Sequence, residues 1–251
     1  MALRRRIKGF IIVGSVVVAG LVLYAVGDTV IRNYAENRIA QEIQTNLPAG
    51  VTGDVSVSIG GLSAIGQFVI GRFDEVTLDA PKISVDGATG SVHIIAQGVP
   101  TNTQKTVGHI TGTVDLSQEA LNTLLKNSGA TPGAEVELRD GDVSYSDSLD
   151  VFGLSVGYRA TATPTAAGAY LVLTPTSAEV TSTAGNLDIT GLVQKILGEQ
   201  PLSICVASYL PVGLDLTDVN VTPDRAQITV ESTTTRLRES ELTTLGTCPS
   251  S

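Results

Sequence analysis

The chain has 251 residues, 16 of them basic and 25 acidic, for a net charge of −9, and 42 % of it is hydrophobic. This acid surplus excludes nucleic-acid binding through general charge and gives no electrostatic attraction to anionic lipid. The length accommodates one large all-β domain or two small ones behind an N-terminal leader.

That leader is the first predicted element. Arg4, Arg5, Arg6 and Lys8 precede an uncharged run of 17 residues, Phe10 to Val26. As a helix the run spans about 25 Å, a little short of a hydrocarbon core of about 30 Å. It is longer than the apolar region of a signal peptide, about 7–15 residues. Cations at its near end stay cytoplasmic, so the chain beyond is delivered to the outer face of the cytoplasmic membrane. Ala25-Val26-Gly27 has the small-x-small form of a cleavage site. Three readings stand, an uncleaved signal anchor, a cleaved signal peptide and a buried soluble helix; the first two divide the chain into a leader (1–27) and an extracytoplasmic domain (28–251). The domain holds 12 basic and 25 acidic residues, a net charge of −13.

A helix is predicted over Thr29–Leu47, where Ile31, Ala35, Ile39, Ile43 and Leu47 recur every four residues. Asp28 stands where an N-cap would, and Pro48 with Gly50 marks the end. Its apolar stripe needs a partner, which the following strands supply. From Val51 the period becomes 2. Val55, Val57 and Ile59 alternate with serines, then Val76, Leu78 and Ala80 with polar residues. The phase slips at Pro81-Lys82, which predicts a bend or bulge. Val92, Ile94 and Ala96 continue the alternation, followed by Ile110, Val114 and Leu116. A second helix begins after Ser117 as N-cap, carries Ala120, Leu121, Leu124 and Leu125, and stops before Gly129. Val136 and Leu138 lead to a hairpin at Asp140-Gly141. The longest alternation runs from Phe152 to Ala162, and Ala166-Ala167-Gly168 turns the chain into Tyr170–Leu173. A third short helix is predicted over Ile189–Leu197, with strands at 202–208, 212–221 and 226–235. The fold class is α+β, mostly β: a long amphipathic helix packed on a strongly curved antiparallel sheet with two short helices. One sheet face is apolar and the other rich in Ser, Thr and Asp. A concave apolar face of this kind is a trough for lipid chains.

No Gly-x-Ser-x-Gly elbow, Gly-rich phosphate loop or HExxH motif occurs. His93 and His109 fall opposite the apolar register of their strands, the position of solvated histidines. Asp140, Asp142, Asp147 and Asp150 cluster without the spacing of a calcium loop. No catalytic residue, metal site or cofactor is read from the sequence. Cys205 and Cys248, an even count in an exported chain, suit one disulfide tying the C-terminal tail to the segment before Leu210-Pro211; two unpaired thiols are the alternative.

The segment Gly60–Phe73 concentrates Leu62, Ile65, Phe68, Val69, Ile70 and Phe73 between glycines. It reads either as an amphipathic helix or loop at the rim of a lipid trough, dipping into the membrane surface, or as a cross-over helix packed in the core. Candidate lipid-contacting residues are Ile39, Ile43, Ile59, Leu62, Ile65, Phe68, Val69, Phe73, Val76 and Leu78.

These residues carry a family resemblance. Ala35-Glu36…Ile39-Ala40, Val55-x-Val57-x-Ile59, Gly61…Gln67-x-x-x-Gly71-x-Phe73-x-x-Val76 and Cys205…Leu210-Pro211-x-Gly213-x-x-Leu216-x-x-Val219-x-Val221 resemble the LmeA-type family of actinobacterial phospholipid-binding proteins. The likeness covers about 29 to 235. Where the family often has Pro-Phe, this chain has Leu62-Ser63. The resemblance implies a non-enzymatic cell-envelope protein that binds phospholipid, such as phosphatidylinositol. It also implies a supporting role in mannosylated envelope glycolipid synthesis of the lipomannan type, alongside envelope biosynthetic proteins, and a tubular lipid-binding fold. Two other classes are weighed against it: a membrane-anchored interaction module without cargo, and an envelope hydrolase or transferase using the acids near 140–150.

Overall fold

The computed structural model describes residues 2–45, 47, 50–129, 133–151, 154–181 and 201–248; side chains are described for these except at 2–21, 23, 149–151, 154, 155, 181 and 239. The helix predicted over Ile189–Leu197 and the side chains of the leader up to Leu21 lie outside the described residues. Among the described residues no helix is long and apolar enough to cross a membrane.

The first correction concerns the N-terminal half. The sequence suggests two helices meeting at Asp28, but a single helix, α1, runs unbroken over Ala2–Thr45. Helix propagation adds one hydrogen bond per residue without a new nucleation cost, so nothing at Gly27-Asp28 forces a restart. Freed from capping its own helix, the Asp28 carboxylate serves another one, described below.

Strands β1 (Val51–Gly53) and β2 (Ser56–Ile59) are followed by α2 (Ala64–Ile70), β3 (Arg72–Val85), β4 (Ala88–Pro100), β5 (His109–Ser117) and α3 (Gln118–Asn127). Next come β6 (Glu135–Leu138), β7 (Val143–Val151), β8 (Leu154–Ala167), β9 (Tyr170–Thr181), β10 (Leu202–Cys205), β11 (Asp215–Val221), β12 (Arg225–Ser232) and a last turn of helix, α4 (Glu239–Thr243). The local predictions hold where they were specific. The register slips between Ala80 and Ile83, at Pro81-Lys82. Ser117 Oγ accepts the Ala120 N–H at 3.2 Å and starts α3. Gly141 turns β6 into β7 with φ +79°.

The second correction concerns the sheet. The strands form two antiparallel sheets, neither strongly curled, in place of one long curved sheet. The larger has seven strands in the order β1-β3-β4-β5-β12-β11, with β2 also on the β3 edge; the smaller has five in the order β10-β9-β8-β7-β6. Local alternation marks where strands are and not whom they pair with. After α3 the chain builds its own meander, then returns to lay β12 against β5.

The two sheets meet at the β11 edge. Gly168, in the β8–β9 turn, exchanges backbone hydrogen bonds with Leu216 at 2.9 and 3.1 Å, and Gly141 N–H donates to Val221 O at 3.0 Å. Leu138, Val221 and Ala226 are buried there, with Leu121 of α3, Val136, Val143 and Val219 packed around them. Cys205 and Cys248 are joined, their Cα atoms 6.0 Å apart and separated by 43 residues in sequence, so the tail is tied to the end of β10.

The third correction concerns α1. Its apolar stripe is only partly covered: Ile31 and Ile39 are exposed, while Ala35, Ile43 and Leu47 are half-buried. The helix lies along the outer edge of β2, touching β2 and α2. It presents polar side chains to the free backbone of that edge strand. Arg32 Nη1 donates to Ile59 O at 2.9 Å, Glu36 Oε1 accepts the Ile59 N–H at 2.7 Å, and Gln44 Nε2 donates to Val55 O at 3.4 Å. An edge strand needs its unpaired N–H and C=O groups met, and these α1 side chains meet them.

Candidate functional site

The site has two parts, a clamped helix and an open apolar sheet face. The clamp is built around α2. Seven residues are too few for a helix to stand alone in water, and four N-terminal N–H groups must find acceptors. Asp28 Oδ2 accepts the Ala64 N–H at 3.1 Å and Oδ1 accepts that of Ile65 at 2.9 Å, Ser63 Oγ accepts that of Gly66 at 2.9 Å, and Ser63 O accepts that of Gln67 at 3.0 Å. The Ser63 hydroxyl also donates to Asp28 Oδ1 at 2.7 Å. A residue 35 or more positions upstream thus completes the cap. The Ile65 N–H and the Ser63 hydroxyl, followed by the Ala64 N–H and Arg32, outweigh the desolvation of Asp28 and hold its carboxyl at about 2, below the ordinary 3.8.

Gln67 closes the other side. It is buried; its Nε2 donates to Gly60 O at 2.9 Å and its Oε1 accepts the Asp74 N–H at 2.6 Å, so α2 is stapled to the end of β2 and the start of β3. Gly61 has φ +85°, and a Cβ there would stand 2.5 Å from Gln67 Nε2. Gly71, with φ +87°, ends the helix by donating to Gln67 O and Phe68 O. The spacing Gly61…Gln67…Gly71 is therefore one mechanical unit: a tight turn, a staple and a C-cap. Held this way, α2 turns Phe68 (65 % exposed), Val69 (79 %) and Ile70 (81 %) to the outside, next to the fully exposed Leu62.

The second part follows from register. Directly opposed residues in antiparallel strands share a face. One row crosses the large sheet as Ile59, Val76, Ala96, Ile110 and Ser232. The next is Val57, Leu78, Ile94, Gly112, Val230 and Leu216, and a third is Ala80, Val92, Val114, Ile228 and Val219. At about 7 Å per two residues the three rows span roughly 14 Å between the first and the last. The flanks of this face are buried (Val57, Ile59, Ala80, Leu216), whereas Val76, Leu78, Ile94, Ile110, Val114, Ile228 and Val230 in its middle are only half-buried. Beyond the third row the face ends against the packed Val221–Ala226–Leu138 core. The first row lies beside α2.

The structure unites some of the sequence-predicted residues and separates others. Ile59, Val76 and Leu78 share the apolar face. Phe73 does not: it pairs with Val99, in phase with Glu75 and Gln97, on the opposite face. Leu62, Phe68 and Val69 form the exposed patch; Ile65 is half-buried in α2; Ile39 is exposed and Ile43 half-buried on α1. The sequence reading missed the central residues Ile94, Ile110, Val114, Ile228 and Val230, although their even-numbered alternation was the signal. It also gave Asp28 to the wrong helix.

The polar groups are dispersed. His93 Nδ1 lies 2.5 Å from Asp79 Oδ1 on the exposed face, and His109 bonds Thr111. Asp142 accepts from Thr163 Oγ1 at 2.5 Å, and Asp147 accepts from Tyr145 at 2.9 Å. Burial, and then the neighbouring Asp147, push the Tyr145 phenol up to about 12. Among the described residues no three His, Cys, Asp or Glu side chains are grouped as metal ligands.

A family model described as LmeA-like phospholipid-binding matches residues 26–231. The chain belongs to this family. No curated protein and no solved structure matches it. The match begins two residues before Asp28 and spans both sheets, so the α2 clamp and the apolar face both lie inside the LmeA-like region. Phospholipid binding is the general activity that this membership supports.

Proposed function

We propose that the chain binds phospholipid by laying acyl chains along the open apolar face of the large sheet, between α1 at the β2 edge and α3 at the far end. The carrying observation is the set of half-buried aliphatic residues in the middle of a face whose flanks are buried. An apolar sheet face is normally covered by a second packed layer, and a lipid chain completes the burial here. Each methylene removed from water contributes about 0.8 kcal/mol, so the site needs no charged anchor. The protein is a binder and not an enzyme in this reading. The cationic start and the run Phe10–Val26 support a domain on the outer side of the cytoplasmic membrane, as an anchored or released envelope protein. Family membership supports a role in lipid transport or envelope glycolipid synthesis, with phosphatidylinositol as a candidate cargo.

Native mass spectrometry of the full chain, extracted in mild detergent and offered phospholipid, tests this. The expected result is bound phospholipid in the wild type and in Thr113→Asp, on the polar face, and its loss in Ile94→Asp, with near-UV circular dichroism confirming the fold of each. A wild type that neither retains nor takes up phospholipid would refute it, as would unimpaired uptake by folded Ile94→Asp.

A further inference from the structure

We propose that α2 is a wedge that enters the outer leaflet of the bilayer, setting the first row of the apolar face at the membrane surface so that lipid passes between bilayer and protein without crossing water. The inference rests on the lipid-binding reading for its purpose and on the leader for its placement; the exposure and anchoring of α2 are independent of the lipid-binding reading.

Four observations carry it. Leu62, Phe68, Val69 and Ile70 form an exposed apolar patch, with Phe68–Ile70 consecutive and exposed throughout. The patch is rigidly held by Asp28, Ser63 and Gln67, as above. It is also fastened at a particular height: Asp28 stands two residues beyond the run Phe10–Val26, about 3 Å along the helix axis, and Tyr24, inside the run, places its hydroxyl 2.8 Å from Ser63 Oγ. Val22, Tyr24, Val26, Val30 and Ile31 are exposed on the same stretch of α1. Through Tyr24 the patch is tied to this exposed apolar stretch of α1, Val22–Ile31. That tie selects a bilayer as the occupant over a second copy or a protein partner.

Charge supports insertion rather than adhesion. Beyond residue 27 the chain carries a net −13, which repels an anionic surface. Insertion through apolar side chains is then insensitive to anionic lipid and to salt. The first row, Ile59–Val76–Ala96–Ile110, lies nearest the wedge because Ile59 leads into α2 through Gly60-Gly61 and Arg72 opens β3 straight after it. The opposite end of the face, at Val221 and Ala226, is plugged.

The test places a fluorophore on Phe68→Cys in the full chain, whose two native cysteines are paired, reconstituted in phosphatidylcholine vesicles. A second label on Asp224→Cys, in the β11–β12 turn, is the reference. Quenching by nitroxide lipids at position 68 and not at 224, unchanged by salt, is expected. Equal access of aqueous quencher to both labels would overturn the wedge, and so would label-to-label transfer between chains, which would make a second copy the occupant. Phe68→Ser/Val69→Ser/Ile70→Ser is then compared with wild type. Pick-up of lipid from vesicles should fall roughly tenfold or more, well beyond any loss in binding of a monomeric short-chain phospholipid. An equal loss of both would make α2 part of the lipid pocket and overturn the wedge. Lack of short-chain binding by wild type would refute the lipid-binding reading alone, since the quenching depth still decides the wedge.

Discussion

Replacing Gln67 by Ala separates the clamp from everything else in the molecule. The side chain is 6 % exposed and makes two hydrogen bonds, donating to Gly60 O at 2.9 Å and accepting from Asp74 N–H at 2.6 Å. Its removal leaves a carbonyl and an amide without partners, each costing about 1–3 kcal/mol when water cannot replace the lost bond. The Asp74 end is near the surface, so about 2–4 kcal/mol is expected in total, drawn from the local stability of α2. At about 1.4 kcal/mol per factor of ten, protection of the α2 amides against hydrogen exchange should drop roughly 30- to 700-fold. Amides in the centres of β4 and β5 should keep wild-type protection, because their ladders do not run through Gln67. Gln67→Glu retains the acceptor for Asp74 N–H but sets a carboxylate against Gly60 O, and should cost at least as much. The measurement is exchange mass spectrometry on the full chain in mild detergent. A change of less than about threefold in α2 would refute the staple, and a uniform loss across both sheets would refute its locality.

The Asp28 cap predicts a pH dependence with a definite sign. Its carboxyl sits at about 2 in the fold against an ordinary 3.8, so the stability it supplies is complete above the ordinary value and is lost as pH falls through about 2. Asp28→Asn should flatten α2 protection over that acid range and lower it at neutral pH; wild-type protection at pH 7 in the variant would contradict the cap. The Cys205–Cys248 bond closes a loop of 43 residues and should stabilise by about 4 kcal/mol. Reduction should therefore lower Tm by roughly 8–16 °C, and calorimetry showing a shift under about 2 °C would mean the tail is held by other contacts. Asp140→Asn with Asp142→Asn should leave phospholipid uptake unchanged, because these acids sit in a turn away from the apolar face; loss of uptake in a folded variant would revive an acid-dependent chemistry.

Much of this protein is written locally. Alternation located the strands, Pro81-Lys82 announced the register slip, Asp140-Gly141 the hairpin and Ser117 the start of α3, because each is decided by backbone chemistry within a few residues. The Gly61…Gln67…Gly71 spacing, with the rest of the family pattern, pointed to phospholipid before any contact was known. Pairing, faces and caps over distance were settled only by the tertiary structure. Gln227 meets Asp115 across 112 residues, and no period in the sequence announces that β12 returns to β5 while β6 to β10 form a sheet of their own. Phe73 looked like a neighbour of Val76 until register placed it on the other face, since an odd offset along a strand reverses direction. Asp28 is an N-cap by residue type, but which helix it caps depended on where β2 brought α2, and a short helix with four unmet N–H groups had more to gain from the carboxylate than a long one already running.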